Sequence, residues 1–256
     1  MIALSVIWLS WLCLLVEKVH ASPYISHSRS ESLNWEEKFS QQGLVDLHKI
    51  DQTIQVELKY STSDNFLGQD VYGELEKCFL QKEVALKLVE AQKKLRSIYP
   101  KYSLKVFDGT RPRRIQIKMW KLVEHTPQQE YVANPQKGSM HNYGAALDVT
   151  IVDKTGKELD MGTPYDFFGD LAKPELEERF LKQKKLSKEH IKNRKILRKV
   201  MIEVGFLYRN EWWHFEVFPK EEIRKNIKLS NRKSQINLLV YLVTTHQRSH
   251  FTWQTH

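Results

Sequence analysis

SMHNYGAALDVTIVD, residues 139–153, decides how the rest of the chain is read. Its second half is a β-branched run through Val149, Thr150, Ile151 and Val152, which favours a strand. Its first half carries an imidazole and a carboxylate seven residues apart, His141 and Asp148, with Gly144, Ala145 and Ala146 between them. That spacing would suit one face of a helix. Gly144 and the β-branched run argue against a helix, so His141 is expected in a loop and Asp148 on the strand that follows. Two readings stand at this point. One is a turn into a buried strand with a surface His and a capping Asp, and the other is two arms of a metal site.

Working outward, Lys154-Thr155-Gly156 reads as a hairpin-like turn, and the segment around Ile54, Val56 and Leu58 alternates as a strand does. QKEVALKLVEAQKKLRSIY, residues 81–99, sets Ala85, Leu88, Val89 and Leu95 on one helical face. YSLKVF, 102–107, is a short strand that ends at Asp108-Gly109. Pro112 suits the first turn of a helix bearing Ile115, Met119 and Leu122. Further on, Ile196, Leu197, Val200, Met201 and Val204 form a helical stripe, with Gly205 as its stop. EWWHFEVF, 211–218, is aromatic and strand-like. Helices and strands alternate without a βαβ rhythm, which predicts an α+β fold with a mostly antiparallel sheet flanked by helices.

The two ends read differently. Ile2 to Val16 is an apolar run of the length of an export-signal core, and Val19-His20-Ala21 offers small residues ahead of a cleavage point. Residues 1–21 are therefore expected to be a signal peptide and the protein to be periplasmic or secreted. No Lys or Arg precedes the run, and cytoplasmic residence is the alternative if the segment is not a working signal. The run is too short to span a bilayer, so no stable membrane span is expected after cleavage. Residues 22–43 are polar and aperiodic and read as a linker, 44–219 as the folded domain, and 220–256 as a basic and apolar tail. The basic run from Arg179 to Lys199 reads as the solvated face of helices.

The 256 residues are 41% hydrophobic and 28% charged, ordinary for a globular protein, with a net charge of +9 that favours anionic surroundings such as cell-wall polymers. No zinc finger or RNA-binding aromatic motif accompanies that charge, so nucleic acid is not an expected partner. Of the two cysteines, Cys13 lies in the leader, and Cys78 alone reads as a small buried hydrophobe. Metal chemistry would therefore rest on His and carboxylates.

Three polar clusters sit beside strand ends: the opening segment, Glu211-Trp212-Trp213-His214, and Asp108-Gly109-Thr110-Arg111-Pro112. His141, Asp148 and His214 make a three-ligand set for Zn²⁺ with a position left for water. Glu211, three residues before His214, suits a general base that later returns its proton to a leaving amine. Arg111 suits stabilisation of an oxyanion, with Asp108 holding it. No phosphate-cradling Gly loop, G-x-S-x-G elbow or dinucleotide fingerprint competes with this constellation.

The chain resembles the zinc D-alanyl-D-alanine dipeptidases, whose wider clan includes D,D-carboxypeptidases of the cell wall. The resemblance is carried by Ser-x-His-x-x-Gly-x-Ala-x-Asp at 139–148 and Glu-x-x-His at 211–214, and by KYSTSDNFLG at 59–68, DGTRP at 108–112, ELDMGTPYD at 158–166 and the EWWHF form of the last motif. It implies a single zinc-peptidase domain of the hedgehog-like D,D-peptidase type, with one Zn²⁺ on His141, Asp148 and His214. It also implies Glu211 as general base and acid, and Arg111 at the tetrahedral intermediate. From the resemblance alone come Asp166 as receiver of the substrate's ammonium and Ser139 and Tyr60 as pocket residues. The implied substrate is a small dipeptide, D-Ala-D-Ala; the alternative is trimming of peptidoglycan stem peptides, with cell-wall fragments as partners. Thr110 stands where an aromatic is common, a change expected to alter the pocket wall, and the tail after Pro219 has no counterpart in the resemblance.

Overall fold

A computed structural model describes residues 35–73 and 75–217. The expected signal peptide and the tail from 220 onward lie outside these residues. Residues 35–41, inside the stretch expected to be a linker, instead form a helix, α1. Trp35 and Phe39 lie four apart on it, and Phe39 is buried against Phe79 with ring centroids 5.5 Å apart. Two aromatics among five polar residues, Glu36, Glu37, Lys38, Ser40 and Gln41, suffice to dock this short helix, and the polar majority conceals them from a composition reading.

The strands are β1 (Val45–Asp46), β2 (Gln55–Val56), β3 (Phe79–Leu80), β4 (Ser103–Asp108), β5 (Ala146–Val152), β6 (Leu207–Arg209) and β7 (Glu211–Glu216). β1 and β3 pair as a small antiparallel ribbon. The main sheet runs β2-β4-β5-β7-β6, with only β2 and β4 parallel. The α+β class and the mostly antiparallel sheet expected from the sequence are both observed. All seven residues of β5 are buried, so the Val-Thr-Ile-Val run sits at the centre of the sheet, covered on both faces.

The longer helices are α2 (Lys82–Ile98), α3 (Arg113–Val123), α4 (Glu177–Lys182) and α5 (Lys188–Ile202). α2 and α5 pack on each other and against β4, β5 and β7. The α2 contact face is Val84, Ala85, Leu88, Ala91 and Leu95, repeating at three- and four-residue steps. Gln92, buried on the same face, accepts a hydrogen bond from the Leu104 amide at 2.7 Å and so ties α2 to β4. The α5 stripe is buried as expected, and Gly205 beyond it takes φ +91°, which ends the helical segment.

Two expectations change. On α3, Ile115 and Met119 are buried but Leu122 is 55% exposed; Val123 takes the inward position. Of the Lys and Arg residues from Arg179 to Lys199, Arg194 is 1% exposed and Arg198 is half-buried against Glu177, while the others face solvent. The Arg194 Nε donates to the Met161 carbonyl at 2.7 Å and its Nη2 to that of Leu171 at 3.1 Å. This guanidinium anchors the loop between β5 and α4, and that loop reaches the site described next.

Candidate metal centre and its cavity

Sheet register builds the first part of the site. Asp108 at the end of β4 pairs with Asp148 on β5, and Asp148 pairs with His214 on β7. Three polar side chains therefore stand in one row across the central strands, where the backbone ladders hold them. His141 arrives from a short 3₁₀ helix, Met140–Tyr143. Ser139 caps it by accepting from the His141 amide at 3.3 Å, while the Asn142 side chain accepts from the Ser139 amide at 2.9 Å. Gly144 closes the turn at φ +64°. A Cβ there would lie 2.8 Å from Thr110 Oγ1 and 3.1 Å from the Gln81 amide nitrogen, so only glycine fits between this turn and β3.

The three candidate ligands converge. Their donor atoms all lie within 4.8 Å of one another. His214 Nδ1 is 2.9 Å from Asp148 Oδ1 and 3.2 Å from His141 Nε2. The remaining atoms of each group are held from behind. His141 Nδ1 donates to the Gly109 carbonyl at 2.9 Å, which leaves Nε2 to face the cluster. Tyr165 donates to Asp148 Oδ2 at 2.8 Å. On the far side of His214, Nε2 lies 3.3 Å from Glu216 Oε1.

Electrostatics point the same way. Asp108, Asp148, Glu211 and Glu216 are all buried in this region, and the buried Arg111 guanidinium lies 2.7 Å from Asp108 and 4.0 Å from Asp148. Burial alone would push Asp148 up, yet the imidazoles of His141 and His214 hold it well below the usual carboxylate range. Burial opposes the charge on His214, but its hydrogen bonds to Asp148 and Glu216 prevail and hold the ring up at about 10. A site that draws a proton this strongly onto its own ligand is short of positive charge. Two imidazoles and a carboxylate suit a divalent ion such as zinc, so the residues present fit a metal.

Arg111 follows β4 directly. Its Nε and Nη2 donate to Asp108 Oδ2 at 3.0 and 2.7 Å, and Nη1 donates to Gln116 Oε1 at 2.9 Å. Its guanidinium lies 5.1 Å from the Tyr60 ring centroid, and Nη2 is 4.0 Å from Asp148 Oδ2. Asp108 is held in turn by the Tyr72 hydroxyl, which donates at 2.7 Å. A guanidinium so fixed from two sides has its orientation set before any ligand arrives.

The loop anchored by Arg194 supplies the opposite wall. Asp166 sits at φ +58° and accepts from the Tyr60 hydroxyl at 3.0 Å and the Phe66 amide at 3.3 Å. Burial and the nearby Asp148 charge push it up to about 7, against the pull of Arg111. Burial likewise pushes Glu211 up to about 7, with His214 opposing and Asp148 reinforcing. The Trp212 indole donates to Thr163 Oγ1 at 2.8 Å and ties this loop to β7.

Tyr60, Arg111, Ser139, His141, Asp148, Asp166, Glu211 and His214, all the residues singled out from the sequence, line one cavity of ≈ 220 Å³. That is smaller than the ~300–1,000 Å³ of sites for drug-sized ligands. Phe66, Phe168 and Trp213 add aromatic wall. Thr110 is not part of that wall. It is 4% exposed and donates to the Phe79 carbonyl at 2.6 Å, so the expected effect on the pocket wall does not arise. Cys78 is buried, and its thiol is pushed far up by burial, as a structural cysteine requires.

Sequence reasoning missed Tyr72, Gln116, Tyr165 and Glu216. Only Glu216 carried a local signal, since alternation along β7 sets it on the same side as His214.

The fold and the site define a peptidase. The family model described as D-Ala-D-Ala dipeptidase matches residues 40–231, and the chain belongs to that family. The match runs past Pro219, where sequence reading ended the domain. The chain is 33% identical over 178 residues to the D-alanyl-D-alanine dipeptidase of Escherichia coli (strain K12), covering 68% of this chain and 84% of that protein. It is 29% identical over 196 residues to the D-alanyl-D-alanine dipeptidase of Enterococcus faecalis, covering 70% and 93%. A protein of the same name from Enterococcus faecium is 28% identical over 191 residues, covering 68% and 90%. Among the described residues, no helix is long and apolar enough to cross a membrane.

Proposed function

We propose that this protein hydrolyses the free dipeptide D-Ala-D-Ala to two molecules of D-alanine, with zinc held by His141, Asp148 and His214. When bound, zinc supplies a Lewis acid and a water that ionises near neutral pH. Glu211, buried at the cavity wall and ionised above about pH 7, takes the proton from the attacking water and delivers it to the leaving amine. Water adds across the amide as the C–N bond breaks, its hydroxyl to the carbonyl carbon and its proton to the nitrogen. Arg111, fixed by Asp108 and Gln116, faces the charge that develops on the carbonyl oxygen.

Asp166 sets the substrate's length. Its carboxylate bonds Tyr60 and Phe66 at the cavity wall, where an ammonium can join them. A peptide acylated at that nitrogen would bring no cation to Asp166 and leave its buried charge with only the Tyr60 and Phe66 bonds, a penalty of about 1–3 kcal/mol for the lost charge-assisted bond. The observation that carries the proposal is the convergence of Asp166, Arg111, Glu211 and the His-Asp-His cluster on one small cavity. Residues 1–21, read as an export signal, fit an enzyme that meets cell-wall-derived D-Ala-D-Ala outside the cytoplasm.

The test is the product profile of the purified, zinc-loaded protein on D-Ala-D-Ala and on a stem pentapeptide ending in D-Ala-D-Ala. D-alanine from the dipeptide, abolished by a chelator and restored by zinc, is expected. Release of the terminal D-alanine from the pentapeptide with an inert dipeptide would replace this reading by D,D-carboxypeptidase action.

A further inference from the structure

We infer that Glu216 is a positioning residue of the metal centre, holding His214 in the tautomer and orientation that aim its Nδ1 at the ligand cluster. Alternation along β7 sends the side chains of Trp212, His214 and Glu216 to the same side. Cross-strand register sets His214 beside Asp148 and Glu216 beside Ala146, whose small side chain leaves space for the carboxylate. Glu216 is 3% exposed, and its Oε1 lies 3.3 Å from His214 Nε2. Arg209, on β6, brings its Nε to 3.7 Å from Glu216 Oε2 and so faces the carboxylate from the adjoining strand.

Both ring nitrogens of His214 face carboxylates, Nε2 toward Glu216 Oε1 and Nδ1 toward Asp148 Oδ1. A cation held by the cluster would take the place of the Nδ1 proton, while Glu216, which only accepts, keeps the hydrogen on Nε2. His141 is held in the opposite sense, with Nδ1 donating to the Gly109 carbonyl and Nε2 facing the cluster. The two imidazoles are thus set by two different devices, a backbone carbonyl for one and a buried carboxylate for the other. Glu216 is not a further ligand for the same ion, because it meets His214 at the nitrogen that points away from the cluster. An ionised partner behind a ligating imidazole raises its basicity and restricts its rotation, and loss of such a partner lowers metal affinity by about 10- to 100-fold.

The inference rests on the metal-site reading proposed above. It is tested on the full chain by measuring the zinc dissociation constant, in competition with a chromophoric chelator, for the parent, Glu216→Gln and Glu216→Ala. Circular dichroism of each metal-free protein reports folding. The expected result is an affinity loss of about 10- to 100-fold for Glu216→Ala. Glu216→Gln, whose amide oxygen still accepts from Nε2, recovers part of it. Affinities for both variants within twofold of the parent would overturn the role of Glu216 while leaving the metal site standing. A parent that binds no zinc, with D-alanine release unaffected by chelators, would overturn both. If Glu216→Ala is unfolded, Glu216→Gln alone decides: a folded, weaker-binding protein supports the inference and an unchanged one defeats it.

Discussion

The two walls of the cavity are built by different means. On one side the row Asp108, Asp148 and His214 is placed by backbone pairing across β4, β5 and β7. On the other, the loop carrying Asp166 makes a single backbone bridge to β5, Val152 to Glu158, and beyond it is held by side chains. Arg194 holds Met161, Trp212 holds Thr163, Tyr165 reaches Asp148, and Tyr60 holds Asp166 itself. Placement by a sheet survives the loss of a single contact, whereas placement by tethers loosens with each one removed. On the function proposed above, the wall that performs the chemistry is the rigid one, and the wall that selects the substrate is adjustable.

Perturbations should separate the two walls. The largest effect is expected on the sheet side, where Glu211→Gln should lower kcat by about 10²–10⁴-fold with little change in KM. Steady-state D-alanine release measures both parameters. Arg111→Lys keeps a charge but loses the fork that Asp108 and Gln116 hold, and a fall of about 10²-fold in kcat is expected. A change confined to KM would show that Arg111 serves binding alone.

On the loop side the effects should fall on KM. Asp166→Asn should cost about 10- to 100-fold in kcat/KM, carried mainly by KM, as loss of a charge-assisted bond implies. Asp166 also sets a pH dependence. With its carboxyl pushed up to about 7, it is protonated below that pH and cannot pair with an ammonium. The dipeptide's own amino group loses its proton above about pH 8. KM should then be lowest between roughly 7 and 8 and rise about tenfold per pH unit below 7, a slope that Asp166→Asn should flatten. The smallest effect is expected for Trp212→Phe, which removes only the bond to Thr163, worth about 1 kcal/mol. KM should rise a few-fold at unchanged kcat; an unchanged KM would mean that the loop does not depend on this tether.

The same contrast governs what the sequence made legible. β5, α2 and α5 announce themselves by local patterns, a β-branched run and two apolar stripes, because their burial repeats along the chain. His141, Asp148, Glu211 and His214, which the structure brings to one cavity, stood out as candidates because metal and proton chemistry restrict residue types at short spacings within each of their two segments. Asp166, Ser139 and Tyr60 came only through resemblance to a family, since nothing local distinguishes one loop carboxylate, serine or tyrosine from another. Tyr165, Gln116 and Tyr72 were missed because their roles arise from pairings across the fold. Tyr72 meets Asp108 only where separate segments close on one another. The helix at 35–41 was hidden by its polar residues, and the substitution of Val123 for Leu122 inside α3 reflects a helical phase that adjacent apolar residues leave ambiguous.

The central claim is that one cavity joins a hydrolytic centre to a carboxylate that requires a free ammonium. It is tested most directly by offering the zinc-loaded protein D-Ala-D-Ala and its N-acetyl derivative side by side and quantifying D-alanine by chromatography. The account predicts two D-alanines per free dipeptide and turnover of the acetylated compound lower by at least about tenfold. Equal cleavage of both, or no D-alanine from the free dipeptide, would contradict it.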